Sequence, residues 1–358
     1  MKKVLFATCC IALLSGSLGA SAQKKSDVQA QKKSAAKSVS ASSLTGKSWS
    51  ADNGNGTFTN PLFYDEFSDP DIIRVGEDYY LAGTTMHSVP GLVVLHSKDL
   101  VNWEFSSYCF DRFDDSDDFN LRNGKEAYGQ GIWAPAIRYH NGKFYIFSNI
   151  NGHGLQVYIS DSAKGPWTHH KINGDIYDLS VLFDDDGKIY AVHKYGNVTV
   201  TELKPDLSGP VEGNSKVVIP EGNAMGEGHH VYKINGMYYI LSADYSPMGR
   251  MQCARSKSIW GPYETCVISE RESFGYAAGW SVGNMGIGRP LPEDGFKFQN
   301  NQPNGVNLGC ATIHQGGIVQ APDGKWWGVS MQDFNAVGRT VCLSPITWVD
   351  GWPYFGLE

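Results

Sequence analysis

Five times along the chain, two short runs of alternating apolar and polar residues flank a glycine turn. The runs are VGEDYYLAG around Gly76, YHNGKFYIFS around Gly142, FDDDGKIYAV around Gly187, YKINGMYYILS around Gly236 and QAPDGKWWGVS around Gly324. Alternation with period two marks strands buried on one face, and Asn-Gly or Asp-Gly between them marks a tight hairpin. A second signal trails each hairpin: HSKDLVNWE, ISDSAKGPWT, LKPDLSGPVE, RSKSIWGPYE and LSPITWVDGWP. Asp99, Asp161, Asp206, Lys257 and Ser344 follow their turn glycines by 23, 19, 19, 21 and 20 residues. Each unit reads as three or four antiparallel strands, and five such units in series predict an all-β, five-bladed β-propeller. A β-sandwich also has evenly spaced turns, but gives no reason for whole units to repeat. The longer spacings place insertions at residues 106–131 and 267–309, both expected as rim loops that shape a pocket.

Composition agrees. The 358 residues include 41 glycines and 12% aromatics, with only 19% charged residues. Disordered chains are poor in aromatics, long helical repeats are poor in Gly, and collagen needs Gly at every third position. The N-terminus has a different character. Lys2 and Lys3, an apolar run over residues 4–14 and Ala20-Ser21-Ala22 form the pattern of a secretory signal with an A-x-A cleavage site, predicted over residues 1–22. Cys9 and Cys10 sit too early for a lipoprotein site. Residues 23–50, rich in Ser, Lys and Ala, read as a disordered tether, and residues 51–358 as the propeller. The expected location is therefore the periplasm or the extracellular space, with no membrane span left after the signal is removed.

Removing that basic leader changes the charge. The first fifty residues hold eight Lys and one Asp, so the remainder carries 22 basic and 36 acidic residues, a formal charge of −14. Such a field repels phosphate backbones and argues against a nucleic-acid partner. Five cysteines remain: Cys109, Cys253, Cys266, Cys310 and Cys342. They lack C-x-x-C spacing, which argues against a zinc cage. Cys253 and Cys266 read equally as a cross-strand bridge or as separate buried thiols.

The candidate chemistry sits ahead of the turns. The innermost strands of a propeller run in one direction around the axis, so residues at one offset before each turn share one mouth of the channel. Asp69, Trp133, Asp178, Glu227 and His314 precede their glycines by 7, 9, 9, 9 and 10 residues. Carboxylates crowded at one mouth push each other's pKa values apart, as acid–base work requires. A pair of carboxylates flanking a sugar bond is the usual machinery of glycoside hydrolysis. Asp184-Asp185-Asp186, by contrast, reads as a solvated hairpin loop.

At these residues the sequence resembles glycoside hydrolase family 43, the five-bladed propeller arabinofuranosidases and xylosidases. The likeness runs over residues 60–358. It rests on six ordered blocks: SDPDIIRVGEDYYL, GIWAPAIRYHNGKFYI, YDLSVLFDDDGKIY, GEGHHVYKINGMYY, HQGGIVQAPDGKWW and GRTVCLSPITWVDGWP. The resemblance implies Asp69 as general base, Glu227 as general acid and Asp178 as the third carboxylate that orients the acid and tunes its pKa. The family's usual Asp-Pro-Ser is here Asp178-Leu179-Ser180. Trp133 and Arg339 are implied as substrate contacts, with His87 and His314 beside them. His314 also matches an axial histidine near a central ion, so a structural calcium held through water is expected, with no cofactor needed for the chemistry. The family's C-terminal β-sandwich has no counterpart in this sequence.

The implied activity is inverting removal of terminal pentose units, α-L-arabinofuranosyl first and β-D-xylosyl second, from hemicellulose- or pectin-derived oligosaccharides or polysaccharides. Alternatives are an endo-acting, arabinanase-like hydrolase, a non-catalytic carbohydrate-binding propeller, a cell-surface interaction scaffold and a retaining relative.

Overall fold

The computed structural model describes residues 50–113, 116–223, 225–244, 250–269, 315–333 and 338–356. The signal segment, nearly all of the tether, His314 and most of the 267–309 insertion lie outside the described residues. All regular structure in the described part is strand, in five sheets of four, each a plain antiparallel meander. No helix there is long and apolar enough to cross a membrane.

The first blade comprises β1 (Asp71–Val75), β2 (Asp78–Gly83), β3 (Gly91–Ser97) and β4 (Trp103–Phe110). The second holds β5 (Ile132–His140), β6 (Lys143–Ile150), β7 (Gly154–Ser160) and β8 (Thr168–Ile172). The third holds β9 (Ser180–Phe183), β10 (Ile189–His193), β11 (Val198–Leu203) and β12 (Pro210–Ile219). The fourth holds β13 (Glu227–Ile234), β14 (Met237–Asp244), β15 (Arg250–Ser256) and β16 (Glu264–Val267). The fifth holds β17 (Ile318–Gln320), β18 (Trp326–Asp333), β19 (Arg339–Val349) and β20 (Trp352–Phe355). All five turn glycines fall between the first and second strands of a blade.

The second signal is a side-chain turn between the third and fourth strands. Ser97, Ser160 and Ser256 each accept, on Oγ, the N–H two residues on (3.1 Å in all three), a turn that Ser favours for this reason. The fifth blade departs from the pattern. Ser344 lies inside β19, and the turn is made by Asp350 and Gly351, both with positive φ, as a tight hairpin requires. The first insertion is also shorter than expected, because residues 106–110 belong to β4.

Burial follows distance from the axis. All five residues of β10 are buried, whereas six consecutive residues of outer strand β12 are exposed. Inner and middle strands are covered by a blade on each face, so their apolar residues run together instead of alternating. Five apolar clusters fill the five inter-blade interfaces. Val157 with Val181, Ile146 with Val94, Val200 with Ile240, and Leu241 with Ile318 exemplify the first four.

The fifth cluster joins Ile72 and Leu81 of the first blade to Val329 and Val341 of the last, closing the ring. The segment before β1 seals that joint. Leu62 N–H donates to Val341 O and Phe67 N–H to Arg339 O, both at 2.8 Å. Buried Asn60 bonds Leu343 twice, through Nδ2 to its carbonyl and through Oδ1 from its N–H, each at 2.9 Å. Asn60→Ala strands both backbone groups and is expected to destabilise the fold by about 1–3 kcal/mol. A lower urea midpoint at unchanged slope is the expected observation; an unchanged midpoint removes Asn60 from the closure.

Cys253 and Cys266 stand opposite each other on β15 and β16, both as free thiols. Asp184 corrects the reading of a solvated loop. It is buried, and it binds Lys233 Nζ and the Tyr238 hydroxyl, both at 2.6 Å, tying the third blade to the fourth. Asp185 and Asp186 stay exposed, as expected of a hairpin loop, Asp185 at 86% of its side chain.

Candidate active site

The innermost strands all begin in the same unusual way. One residue per blade, within three positions of that strand's start, has a left-handed backbone: Asp69 (φ 51°), Ala134 (35°), Asp178 (51°), Gly228 (66°) and Gln315 (45°). For residues other than Gly this conformation costs about 1–2 kcal/mol. The pocket side chains stand at or next to these kinks. In the first and third blades the carboxylate stands on the kinked residue itself, whereas Trp133 and Glu227 stand one residue before it.

The kinks also supply hydrogen bonds. Gly228 N–H donates to Asp178 Oδ2 at 2.7 Å, and Ala134 N–H donates to the Asp69 carboxylate. Each aspartate thus receives the N–H of the kinked residue in the next blade. Asp178 N–H in turn donates to Asn149 Oδ1 at 3.1 Å. Gly228 admits no side chain, because a Cβ there meets Gln315 Cγ at 2.5 Å. Gly228→Ala therefore shifts the N–H off Asp178 and moves its neighbour Glu227. A loss of about 10²-fold in kcat is expected with unchanged circular dichroism; retained kcat means the pocket tolerates the shift.

These residues enclose a pocket of about 260 Å³ at one end of the axis, lined among others by Asp69, Trp133, Tyr177, Asp178, Glu227 and Arg339. Arg339 Nη1 lies 3.6 Å from Asp69 Oδ1, and the Tyr177 hydroxyl donates to Glu227 Oε2 at 3.2 Å. Burial, opposed by Arg339 and assisted by Glu227 and Glu66, pushes Asp69 up to about 6. Burial together with the charges of Glu227 and Asp69 pushes Asp178 up to about 8. Both carboxyls therefore hold a proton more readily than a free aspartate, Asp178 the more strongly. The Trp133 indole N–H is buried without a hydrogen-bond partner among the described residues, a state that calls for a ligand or water.

A buried polar cluster lies further along the innermost strands. Asp71, fully buried, accepts from Arg138 Nη1 (2.5 Å) and Ile137 N–H (2.9 Å) on Oδ2, and from His230 Nδ1 and Ile72 N–H (both 3.0 Å) on Oδ1. Burial pushes its carboxyl upward, but Arg138 and His230 outweigh that and hold it below the ordinary range.

Residues 58–272 match the sequence profile of Glycosyl hydrolases family 43. The chain belongs to this family. A β-xylosidase of Formosa agariphila is 30% identical over 368 residues, covering 92% of this chain and 55% of that protein. A non-reducing end α-L-arabinofuranosidase of Bacteroides ovatus is 34% identical over 318 residues, covering 84% and 54%. Among solved structures, the bifunctional GH43-CE of Bacteroides eggerthii superimposes with a TM-score of 0.69 at 33% identity, covering 84% of this chain and 35% of that one. The chain spans about half the length of these curated relatives.

Of the residues singled out from the family 43 resemblance, Asp69, Asp178, Glu227, Trp133 and Arg339 meet in the pocket. His314 lies outside the described residues. His87 is not in the lining. It stands exposed at the rim, its ring 4.6 Å from that of Tyr128. Tyr177, Asn149, Met86, Gly129 and Gln315 line the pocket without having been singled out. Tyr177 was marked only by its place beside Asp178 in the YDLSVL block, and Gln315 by following His314.

The calcium expected on the axis rests on His314, which lies outside the described residues. No group of three or more His, Cys, Asp and Glu among the described residues is arranged to hold a metal. Asp71, the axial carboxylate, already uses both oxygens on protein donors.

Proposed function

We propose that this chain is an inverting exo-glycosidase that removes a terminal pentose, α-L-arabinofuranosyl by first preference and β-D-xylosyl by second. The observation that carries the reading is three carboxylates from three blades, with an arginine, around one small pocket. Glu227 donates its proton to the glycosidic oxygen as the C1–O bond breaks. Asp69 takes a proton from a water whose oxygen attacks C1 from the opposite face. Tyr177 holds one Glu227 oxygen in place. Asp178 accepts the Gly228 N–H and through it fixes the backbone beside the acid. Arg339 keeps Asp69 in place and faces the hydroxyls of the bound pentose. The orphaned Trp133 N–H gains a sugar oxygen as its acceptor. No step runs through a metal.

Exo action is favoured over endo cleavage by the pocket's small volume. A single terminal ring enters, and the rest of the chain stays outside. The natural substrate is then a pentose-bearing plant oligosaccharide or polysaccharide, met outside the cytoplasm after the N-terminal signal directs export. The test is a panel of nitrophenyl pentosides with arabinan, arabinoxylan and xyloglucan oligosaccharides, followed by NMR of the first-formed anomer. Release of single pentoses with inverted configuration is expected. Internal cleavage, retention, or inactivity on every pentoside overturns the reading.

A further inference from the structure

The insertion between β4 and β5 ends in a constrained turn that carries the most exposed large side chain of the described residues. Tyr128 is 78% exposed. Its backbone is nevertheless fixed. Its N–H donates to Glu126 Oε2 at 2.6 Å, and Gln130 N–H donates to Ala127 O at 2.9 Å. Gly129 N–H donates to His87 Nδ1 at 3.3 Å, and Gly131 N–H donates to Asn151 Oδ1 at 2.6 Å. A Cβ on Gly131 meets Met86 O at 2.5 Å, so the turn is pressed against the β2–β3 loop. The His87 ring packs on Tyr128 with centroids 4.6 Å apart and planes tilted by 42°.

The fold thus holds a bare aromatic ring in one place and leaves it in water. That arrangement is unfavourable for stability and suits a binding platform, since Tyr loses little rotamer entropy on docking a ligand. Its position names the ligand. Gly129, the next residue, is part of the pocket wall, as is Met86, the neighbour of His87. Whatever follows the bound pentose leaves by the pocket mouth, and this turn stands at its edge.

We propose that Tyr128, buttressed by His87, is the stacking platform for the sugar ring on the leaving-group side of the scissile bond. The apolar C–H face of a pyranose or furanose covers the Tyr128 ring, and the residue sets preference for the second sugar unit without touching the reacting atoms. The inference rests on the pentosidase reading above and deepens it.

The test compares two substrates of the intact enzyme and its variants. A pentosyl fluoride fills only the pocket and carries no second sugar, whereas a pentose disaccharide or trisaccharide needs both positions. Tyr128→Ala is expected to lower kcat/KM on the oligosaccharides about ten-fold, mainly through KM, the loss of about 1.4 kcal/mol of binding. The same variant should leave fluoride hydrolysis unchanged, and Tyr128→Trp should restore oligosaccharide activity. His87→Ala should reproduce the split in weaker form. Equal losses on both substrates would show a structural role, and no loss on oligosaccharides would show a ring that serves some other partner; either overturns the proposal. Inactivity of the wild type on every pentosyl fluoride is a separate result that sinks the pentosidase reading itself.

Discussion

Asp69→Asn is expected to cut kcat by about 10²–10⁴-fold on every pentoside, whatever its leaving group. The amide cannot take the proton from the attacking water, and water attack is needed for all substrates alike. The wild-type enzyme should show the same dependence as a pH profile. Asp69 works ionised and is held up to about 6, so kcat/KM should fall as pH drops through that value, and the Asn variant's residual activity should lack that limb. A flat wild-type profile between pH 5 and 7 places the base elsewhere. Stability moves the other way. A carboxyl whose folded pKa is raised binds its proton more readily folded than unfolded. Its contribution therefore favours the fold at low pH and is lost as pH rises from about 4 through about 6 for Asp69, and through about 8 for Asp178. Asp69→Asn should accordingly melt higher than the wild type at pH 8 and near it at pH 4.

Glu227→Gln is expected to behave differently, and the contrast separates the two roles. Loss of the acid matters in proportion to how much the departing oxygen needs a proton. On oligosaccharides, whose leaving groups are poor, a drop of about 10³-fold or more is expected. On a dinitrophenyl pentoside or a pentosyl fluoride, turnover should stay close to wild type. Equal losses on both kinds of substrate would exchange the assignments of Glu227 and Asp69. Circular dichroism of both variants should match the wild type, because each amide keeps the shape of the carboxyl group it replaces.

Local chemistry was readable in advance, and long-range chemistry was not. Four of the five turn glycines follow Asn or Asp and announced their hairpins because such a turn depends on its own few residues. The Ser-x-Asp and Ser-x-Ser turns were equally visible, and they misled only at Ser344, where the fifth blade replaces the side-chain turn with Asp350-Gly351. The carboxylate set emerged from spacing, yet the left-handed kink that orders it did not. Ala134 and Gln315 carry no sequence mark of that conformation and hold it because neighbouring blades impose it. Asp184 sat in a run of three acids that resembles any solvated loop, and only the fold brought Lys233 and Tyr238 to it. His87 and Tyr128 are 41 positions apart in a region without repeat signal, so neither residue betrayed the other.

The sealed joint between the first and last blades governs when activity can appear. Asn60 meets Leu343 across 283 positions of chain, and Asp69 meets Arg339 over nearly the same span. A nascent chain leaving the ribosome displays its first blade early, but the partner of that blade follows only after the other three. Contacts this distant in sequence are slow to form, and the unpaired edges stay open until they do. The pocket draws on all five blades, so it takes shape only when the circle is completed.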